Sequence, residues 1–263
     1  MKTVVSVLAW NSTVYLTRLF QNLLDSPPST REFTLIVVDQ GSAQGTKAII
    51  AQADRKIANM HVITLAENIG YSAGHNLAYA HALKQGDVDY FVPLNDDMEF
   101  ECPGWLDEML AVMERTPGTA LAGPTCYSIV PGMARPATDQ EIAEGKYHFI
   151  ATPVAIVRAA AVHDVGLFDE EYTPAYWEDA DLSMRLKHFG WGLAHTPIRY
   201  RHKYLGQIER GLTAYKEDLA KYGEFDKQNI VRFFARWKNP ETRNAFTRET
   251  LRTICPRLYI PST

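Results

Sequence analysis

Apolar residues follow two rhythms along this chain. "TVVSVLA" (residues 3–9) and "FTLIVVD" (33–39) are unbroken runs rich in β-branched residues, the pattern of strands buried on both faces. "HVITLA" (61–66) and "VDYFVPL" (88–94) read as a third and a fourth strand. Between these runs, residues 14–24, 46–58 and 73–85 place apolar side chains three and four apart, the spacing of one helical face. Asn11-Ser12 supplies a cap signal before the first of them. The order strand–helix repeated over residues 3–94 predicts an α/β fold, a mostly parallel, Rossmann-like sheet with helices on both sides.

The alternation loosens in the second half. Residues 103–115 read as a helix, "TALAGP" (119–124) as a short strand, "ATPVAIVR" (151–158) as another, and 159–165 as a short helix. Residues 124–150 hold Pro, Gly and polar residues with weak periodicity. That is long for a loop, which marks the stretch as functional or partly ordered. "GLFDEEYTPAYWED" then leads into a helix where Leu182, Leu186 and Phe189 recur at i, i+4 and i+7. Extending that stripe backwards puts Glu178 and Asp179 on the core-facing side of the first turn. Acids are favoured there by the helix dipole. The alternative is a carboxylate held at a pocket rim for proton transfer. Asp181 falls off the stripe, where pairing with Arg185 at i, i+4 is expected as a surface contact of about 0.3 kcal/mol. "WGLAHTPIRYRH" reads as one or two strands, and residues 207–263 as a mainly helical extension punctuated by Pro240, Pro256 and Pro261.

With 263 residues there is room for one sizeable domain, or a domain with an appendage. No run of 18 apolar residues suggests a membrane span. "MKTVVSVLAW" reads as a buried first strand rather than a signal peptide. Cys102, Cys126 and Cys255 are scattered, with neither metal-type spacing nor a disulfide framework, which favours a reducing, cytoplasmic setting, with peripheral membrane contact as an option. Charge adds a partition. From Arg199 onward there are 14 Lys/Arg against 7 Asp/Glu, whereas residues 1–198 carry 13 against 24. An acidic body with a basic tail fits contact with an anionic surface, such as a membrane face, a lipid phosphate or a nucleic acid. A solvated helical surface is the plainer reading.

The polar signals collect at strand ends: Asn11, Asp39, Asn68 and Asn95-Asp96-Asp97. Open α/β sheets bind ligands outside the carboxyl ends of their strands. "PLNDDMEF" offers oxygen ligands of the kind hard cations take, and magnesium is usually held by one or two carboxylates plus substrate phosphates. A polar turn would use the same residues. "ENIGYSAGHN" precedes a helix and offers backbone N–H groups to an anion, but it is neither a G-x-G-x-x-G nor a Walker loop. His202, at the end of "IRYRH", either completes a metal site or packs.

Four separated segments, "VSVLAWN", "IVVDQGS", "ENIGYSAGHN" with "LNDD", and "GLFDEEYTPAYWEDADLSMRLKHFGW", together resemble a family 2 glycosyltransferase of the GT-A fold over residues 3–203. The last segment is the most specific. The resemblance implies a catalytic domain over 1–206, with a nucleotide-binding half at 1–98 and an acceptor half at 99–206, and an extension at 207–263. It implies an inverting enzyme that moves a sugar from a UDP-, dTDP- or GDP-linked donor. Ala9, Asn11, Asp39, Asn68, Gly70, Asn76, Asn95 and Asp96 fall on the nucleotide side. Asn95 stands where the family's Asp-x-Asp element has its first acid, and Asp97 matches the metal-binding last acid. His202 matches a C-terminal histidine that ligates the same Mg²⁺ or Mn²⁺. Asp179 matches the general base, and Glu178 is its neighbour, tuning it or touching the acceptor. Acceptor classes are a glycan, a lipid-linked sugar, a protein side chain or a modified nucleic acid. Residues 124–150 are expected as an acceptor-side lid, and the tail as a homodimer contact.

Three departures accompany the resemblance. The first strand ends in Ala9-Trp10-Asn11 instead of a Pro-Thr-Tyr-Asn type turn. "IATPVAIVR" replaces a Gly-Gly-rich strand, and His75 stands where Gly or Asn is commoner. Two other readings stay open: a sugar-phosphate nucleotidyltransferase, though "LAWNSTVYLTR" lacks a Gly-rich basic loop, and a binding module without turnover.

Overall fold

A computed structural model describes residues 1–202 and 212–245, together with 247 and 249. Its centre is a seven-stranded sheet. In chain order the strands are β1 (Thr3–Ala9), β2 (Phe33–Gln40), β3 (Met60–Leu65), β4 (Tyr90–Leu94), β6 (Thr119–Gly123), β10 (Ile156–Arg158) and β11 (Gly192–His195). They lie in the order β11-β6-β10-β4-β1-β2-β3. β1 pairs parallel with β2 and β4, in a register that sets Ala9 opposite Asp39 and Val7 opposite Leu94. β10 alone runs antiparallel, between β4 and β6.

The period of two explains why these runs become central strands. Val5, Val7, Leu35, Val37 and Val92 point into one core, under α1 (Thr13–Asp25), α2 (Gln44–Asp54) and α4 (Trp105–Arg115). Val4, Ile36, Val38 and Phe91 point into the other, under α3 (Tyr71–Lys84), α6 (Ala159–Val165) and α7 (Glu178–His188). Alternate residues of one strand therefore leave water on opposite faces, each buried Val or Leu contributing about 1.5–3 kcal/mol of transfer free energy. The α/β, mostly parallel architecture is as the sequence predicts.

Residues 124–150 are ordered, as their length suggested. β7 (Cys126–Val130), β8 (Met133–Pro136) and β9 (Phe149–Ile150) form a small antiparallel sheet, and α5 (Asp139–Ala143) starts on a capping box between Thr138 and Glu141. The elements are too short to show a period, and only Cys126, Ser128, Phe149 and Ile150 among their strand residues are buried. Two local expectations need correction. First, Ser12 precedes α1 without making a side-chain cap. Asn11 instead accepts from the Ala43 N–H (2.7 Å), tying the end of β1 to the start of α2. Second, Asp181 and Arg185 do pair, at 2.7 Å, but both are fully buried.

That last pair changes what α7 rests on. Asp181 also accepts from Arg236 (2.9 Å), from Trp237 Nε1 (2.9 Å) and from Tyr172 (3.3 Å). Arg185 directs its remaining donors to the carbonyls of Val165, Gly166 and Leu167. Burial pushes the Asp181 carboxyl up, but the Arg236 and Arg185 charges outweigh it and hold it below the usual carboxylate range. Asp181→Ala would strand a buried guanidinium. It is expected to cost about 3–5 kcal/mol in chemical denaturation, and a loss under about 1 kcal/mol would contradict the buried network. The contribution is present at neutral pH and fades as acid protonates Asp181.

Arg236 and Trp237 come from α8 (Leu212–Trp237), the first helix of the C-terminal extension; α9 (Pro240–Ala245) follows. Phe233 and Trp237 share a cluster with Phe149, Tyr172, Trp177 and Ala180, so the extension packs against the loop that enters α7. Two of its basic residues meet acids of the same chain, Arg236 at Asp169 and Arg232 at Glu171. The expected boundary at 206/207 and all three basic residues after Arg243 lie outside the described residues. Among the described residues, no helix is long and apolar enough to cross a membrane.

Candidate active site

The parallel register brings Ala9, Asp39 and the 95–97 segment to one edge of the sheet. Asp39 is buried and accepts the Ser42 N–H at 2.9 Å, which closes the turn after β2. Gly41 completes that turn at φ +73°, and a Cβ there would stand 2.6 Å from the Ala66 carbonyl oxygen, so only glycine fits. Asn11 holds the neighbouring turn through Ala43 and Ser42. Gln40, which sequence reasoning passed over, accepts the Ile69 N–H at 3.1 Å and so anchors the 67–70 loop to β2.

Within that loop, exposed Asn68 accepts the Gly70 N–H at 2.8 Å. Gly70 has φ +89°, and its Cβ position faces the Pro174 carbonyl oxygen at 3.1 Å. Tyr71 N–H donates to the same carbonyl at 2.8 Å. The loop therefore touches both β2 and the segment before α7. Asn76 has a tethering role: its amide donates to the Phe168 carbonyl (2.8 Å) and to Glu170, and its oxygen accepts the Phe168 N–H. His75, buried beside it, accepts from or donates to Ser6 at 2.9 Å, and burial lowers its imidazole to about 3. It stands as a neutral core residue.

Asn95, Asp96 and Asp97 follow β4, each half-buried. The next three residues form β5 (Met98–Phe100), a strand the sequence reading did not separate from the polar turn. β5 pairs antiparallel with β12 (Tyr200–His202), the second of the two strands in "WGLAHTPIRYRH", and sets His202 opposite Met98. His202 Nε2 thereby reaches 3.1 Å from Asp97 Oδ1 and 3.4 Å from Asn95 Nδ2. Asp97 Oδ1 is buried and accepts no hydrogen bond. Among the described residues no three acids, histidines or cysteines gather as a closed metal cage. The pair nonetheless fits a divalent cation in the manner of a phosphate site, where the protein gives one or two ligands. Two ligands bound at right angles about 2.1 Å from an ion lie roughly 3 Å apart.

Glu178 and Asp179 open α7. The two residues before them, Tyr176 (φ 80°) and Trp177 (φ 72°), are both left-handed. Each non-glycine residue held there costs about 1–2 kcal/mol. Asp179 accepts the Ala180 N–H at 2.7 Å, and the Thr152 N–H faces its carboxylate. Burial raises its carboxyl to about 6, and these N–H groups oppose the rise. Glu178 is buried with Oε2 unpartnered. Burial, and then the Asp179 charge, push its carboxyl well above the usual range, which favours the protonated form. Neighbouring carboxyls thus have different proton affinities, one suited to a base and one to a neutral group. Tyr71, also missed from sequence, donates to the Thr152 carbonyl at 2.7 Å, and its phenol is raised by burial and by the Glu178 and Asp179 charges.

The segment 152–154 connects the two halves. The Thr152 N–H faces Asp179, the Pro153 carbonyl accepts the Asn95 N–H at 2.7 Å, and Val154 bridges Leu94. Asn95 and Asp179 therefore meet one short stretch of backbone, and Asp97 follows Asn95 by two residues. Nothing in "IATPVAIVR" marks Thr152 beforehand except its place before a proline.

Comparison with known proteins bears on the fold and the family. The uncharacterized protein y4gI of Sinorhizobium fredii is 25% identical over 232 residues. That alignment takes in 78% of this chain, which spans about a quarter (24%) of the relative's length. The fold matches GalNAc-T7, solved with UDP, GalNAc and Mn²⁺, at a TM-score of 0.69 and 13% identity, covering 99% of this chain and 55% of that one. It matches the mannosyltransferase PcManGT of Pyrobaculum calidifontis, solved with GDP-Man and Mn²⁺, at 0.56 and 13%, covering 97% and 74%. It matches S. aureus TarS 1-349 with UDP-GlcNAc at 0.57 and 18%, covering 97% and 76%. Residues 4–156, more than half of the chain, match the family described as glycosyl transferase family 2. With its seven-stranded α/β sheet and this match over more than half its length, the chain belongs to glycosyl transferase family 2.

Proposed function

We propose that this chain transfers a hexosyl or deoxyhexosyl group from a nucleotide-diphosphate sugar to an acceptor hydroxyl, with inversion at the anomeric carbon. The observation that carries this reading is that Asn95, two residues before Asp97, and Asp179 both meet the short segment 152–154, at the carboxyl edge of the sheet. Asp39 and the 67–70 loop lie along the nucleotide side of that edge. The base and ribose of the donor meet them there, and the sugar extends toward Thr152.

The acceptor oxygen attacks the anomeric carbon as its proton passes to Asp179. The bond from that carbon to the diphosphate oxygen breaks, and the electron pair leaves with the diphosphate. Attack from the side opposite the leaving group inverts the centre. Glu178, held neutral, adds no second negative charge beside the base and offers its buried carboxyl to a substrate hydroxyl. Asp97 and His202 are the residues that would hold a divalent cation, which when bound neutralises charge on the departing diphosphate. UDP- and GDP-linked donors are supported by the ligands of the structural relatives, and dTDP-linked donors by the sequence resemblance alone.

A thermal-shift screen of UDP-, dTDP- and GDP-sugars, each with and without Mn²⁺, tests the reading. One nucleotide class is expected to stabilise the chain by about 2.7 kcal/mol at a hundred times its Kd. That is roughly 5–10 °C for a protein of this size, and it should require the metal. No shift with any class, in either condition, would remove the reading.

A further inference from the structure

The C-terminal helix α8 is in contact with the turn that precedes the two acids. Asn229 is buried, and its amide donates to both the Ala175 carbonyl (2.9 Å) and the Tyr176 carbonyl (3.1 Å). Asp226, one helical turn earlier, accepts from Trp177 Nε1 at 2.9 Å. Phe233 lies against the Trp177 ring at 4.9 Å and Phe234 at 5.8 Å. These contacts meet the left-handed pair Tyr176-Trp177 and the residue before it. A strained turn persists only where its surroundings over-determine it. Here the surroundings are supplied by a helix outside the segment matched to the family, which ends at residue 156.

We propose that α8 is a brace for the catalytic turn, and that Asn229 is a positioning residue which, by bridging the carbonyls of Ala175 and Tyr176, keeps Asp179 against the Thr152 N–H. The inference rests on the reading of Asp179 as the base. It goes beyond that reading by giving the extension a part in the reaction. Without the bridge, Tyr176 and Trp177 have a lower-energy route to right-handed or extended backbone. Either change rotates the first turn of α7 and carries Asp179 away from Thr152. Asp181, anchored by Arg185 and Arg236, holds the rest of α7 in place. The displacement is therefore confined to residues 175–179.

The Thr152 N–H is a reporter that needs no ligand. Hydrogen exchange on the full chain is measured for Asn229→Ala, for Asp179→Ala, which removes the acceptor and sets the scale, and for Val231→Gly. Val231 is exposed on the same helix, so the glycine loosens α8 without touching the turn. Asn229→Ala is expected to raise exchange in the peptide holding Thr152 at least half as far as Asp179→Ala does. Peptides of β1 and β4 should stay protected, and Val231→Gly should leave Thr152 protected. Turnover is read on the donor selected by the nucleotide-sugar screen. Asn229→Ala should lower kcat about tenfold or more with the donor KM unchanged, a split that general loss of helix stability does not give.

Thr152 protection unchanged in Asn229→Ala overturns the brace. Equal deprotection in Val231→Gly overturns it too, because the effect is then helix stability. If Asp179→Ala turns over normally, the base reading fails and the catalytic part of the inference fails with it. If Asp179→Ala is inactive while Asn229→Ala keeps full kcat, the base stands and the brace does not.

Discussion

Asp179→Asn is expected to lower glycosyl transfer by about 10²–10⁴-fold, the range for loss of a positioned general base. Binding of the sugar nucleotide should survive. The argument rests on shape as well as charge. Asparagine keeps the volume of the side chain and an oxygen for the Ala180 N–H, so the first turn of α7 is kept. It loses the ability to take a proton. Two opposed effects bear on stability. An ionised carboxylate whose folded value is raised to about 6 opposes folding above that pH, and asparagine removes this penalty. The amide also turns a donor toward one of the N–H groups that the carboxylate accepted. The melting temperature should therefore stay within about 4 °C of wild type, so lost activity cannot be ascribed to unfolding.

The pH profile gives the same residue a second signature. As the proposed base, Asp179 would act only when ionised, so kcat/KM of the wild type should fall tenfold per pH unit below about 6 and level off above it. In Asp179→Asn the residual activity should lose that limb. Normal turnover by the variant, or an acid limb that persists in it, would take the base assignment away.

What was legible in the sequence follows from how each feature is encoded. β1, β2 and β4 are buried on both faces, and their composition states it; β3 is an edge strand, with no fully buried residue. Asp39, Asp97, Asp179 and His202 were named because each ends or begins an element whose pattern is plain. β5 was not legible, because "MEF" is a strand only by pairing with β12, 100 residues later. Asp181 was placed at the surface because its periodicity puts it off the Leu182-Leu186 stripe. That stripe describes a helix with one buried side. α7 has two, the sheet on one and α8 on the other, and the second side was invisible from α7 alone. Thr152, Tyr71 and Gln40 act through backbone groups, and a backbone N–H or carbonyl has no signature in the sequence.

Asp97→Ala should lower kcat/KM by about 10³-fold, since a cation on the leaving diphosphate supplies several kcal/mol and each 1.36 kcal/mol is a factor of ten. The discriminating measurement is donor affinity with and without Mn²⁺. In the wild type the metal should tighten binding; in the variant the two affinities should coincide. A polar turn uses its acids differently. A turn aspartate accepts from nearby backbone N–H groups, as Asp39 does from Ser42. Asp97 Oδ1 is buried without such a donor, and a buried acceptor left unsatisfied carries a cost of about 1–3 kcal/mol. On the proposed reading, an oxygen kept that way, 3.1 Å from an imidazole nitrogen, is where the ion would bind. The variant should therefore be as stable as wild type without metal, to within about 1 kcal/mol, and should lose only the metal-dependent gain. His202→Ala should act in the same direction but less, because the neutral imidazole gives the ion a lone pair while Asp97 also gives a charge. Combined, the two substitutions should cost less than the sum of their separate effects, since both dismantle one site. A metal-dependent affinity that persists in Asp97→Ala would return residues 95–97 to the plainer reading of a polar turn.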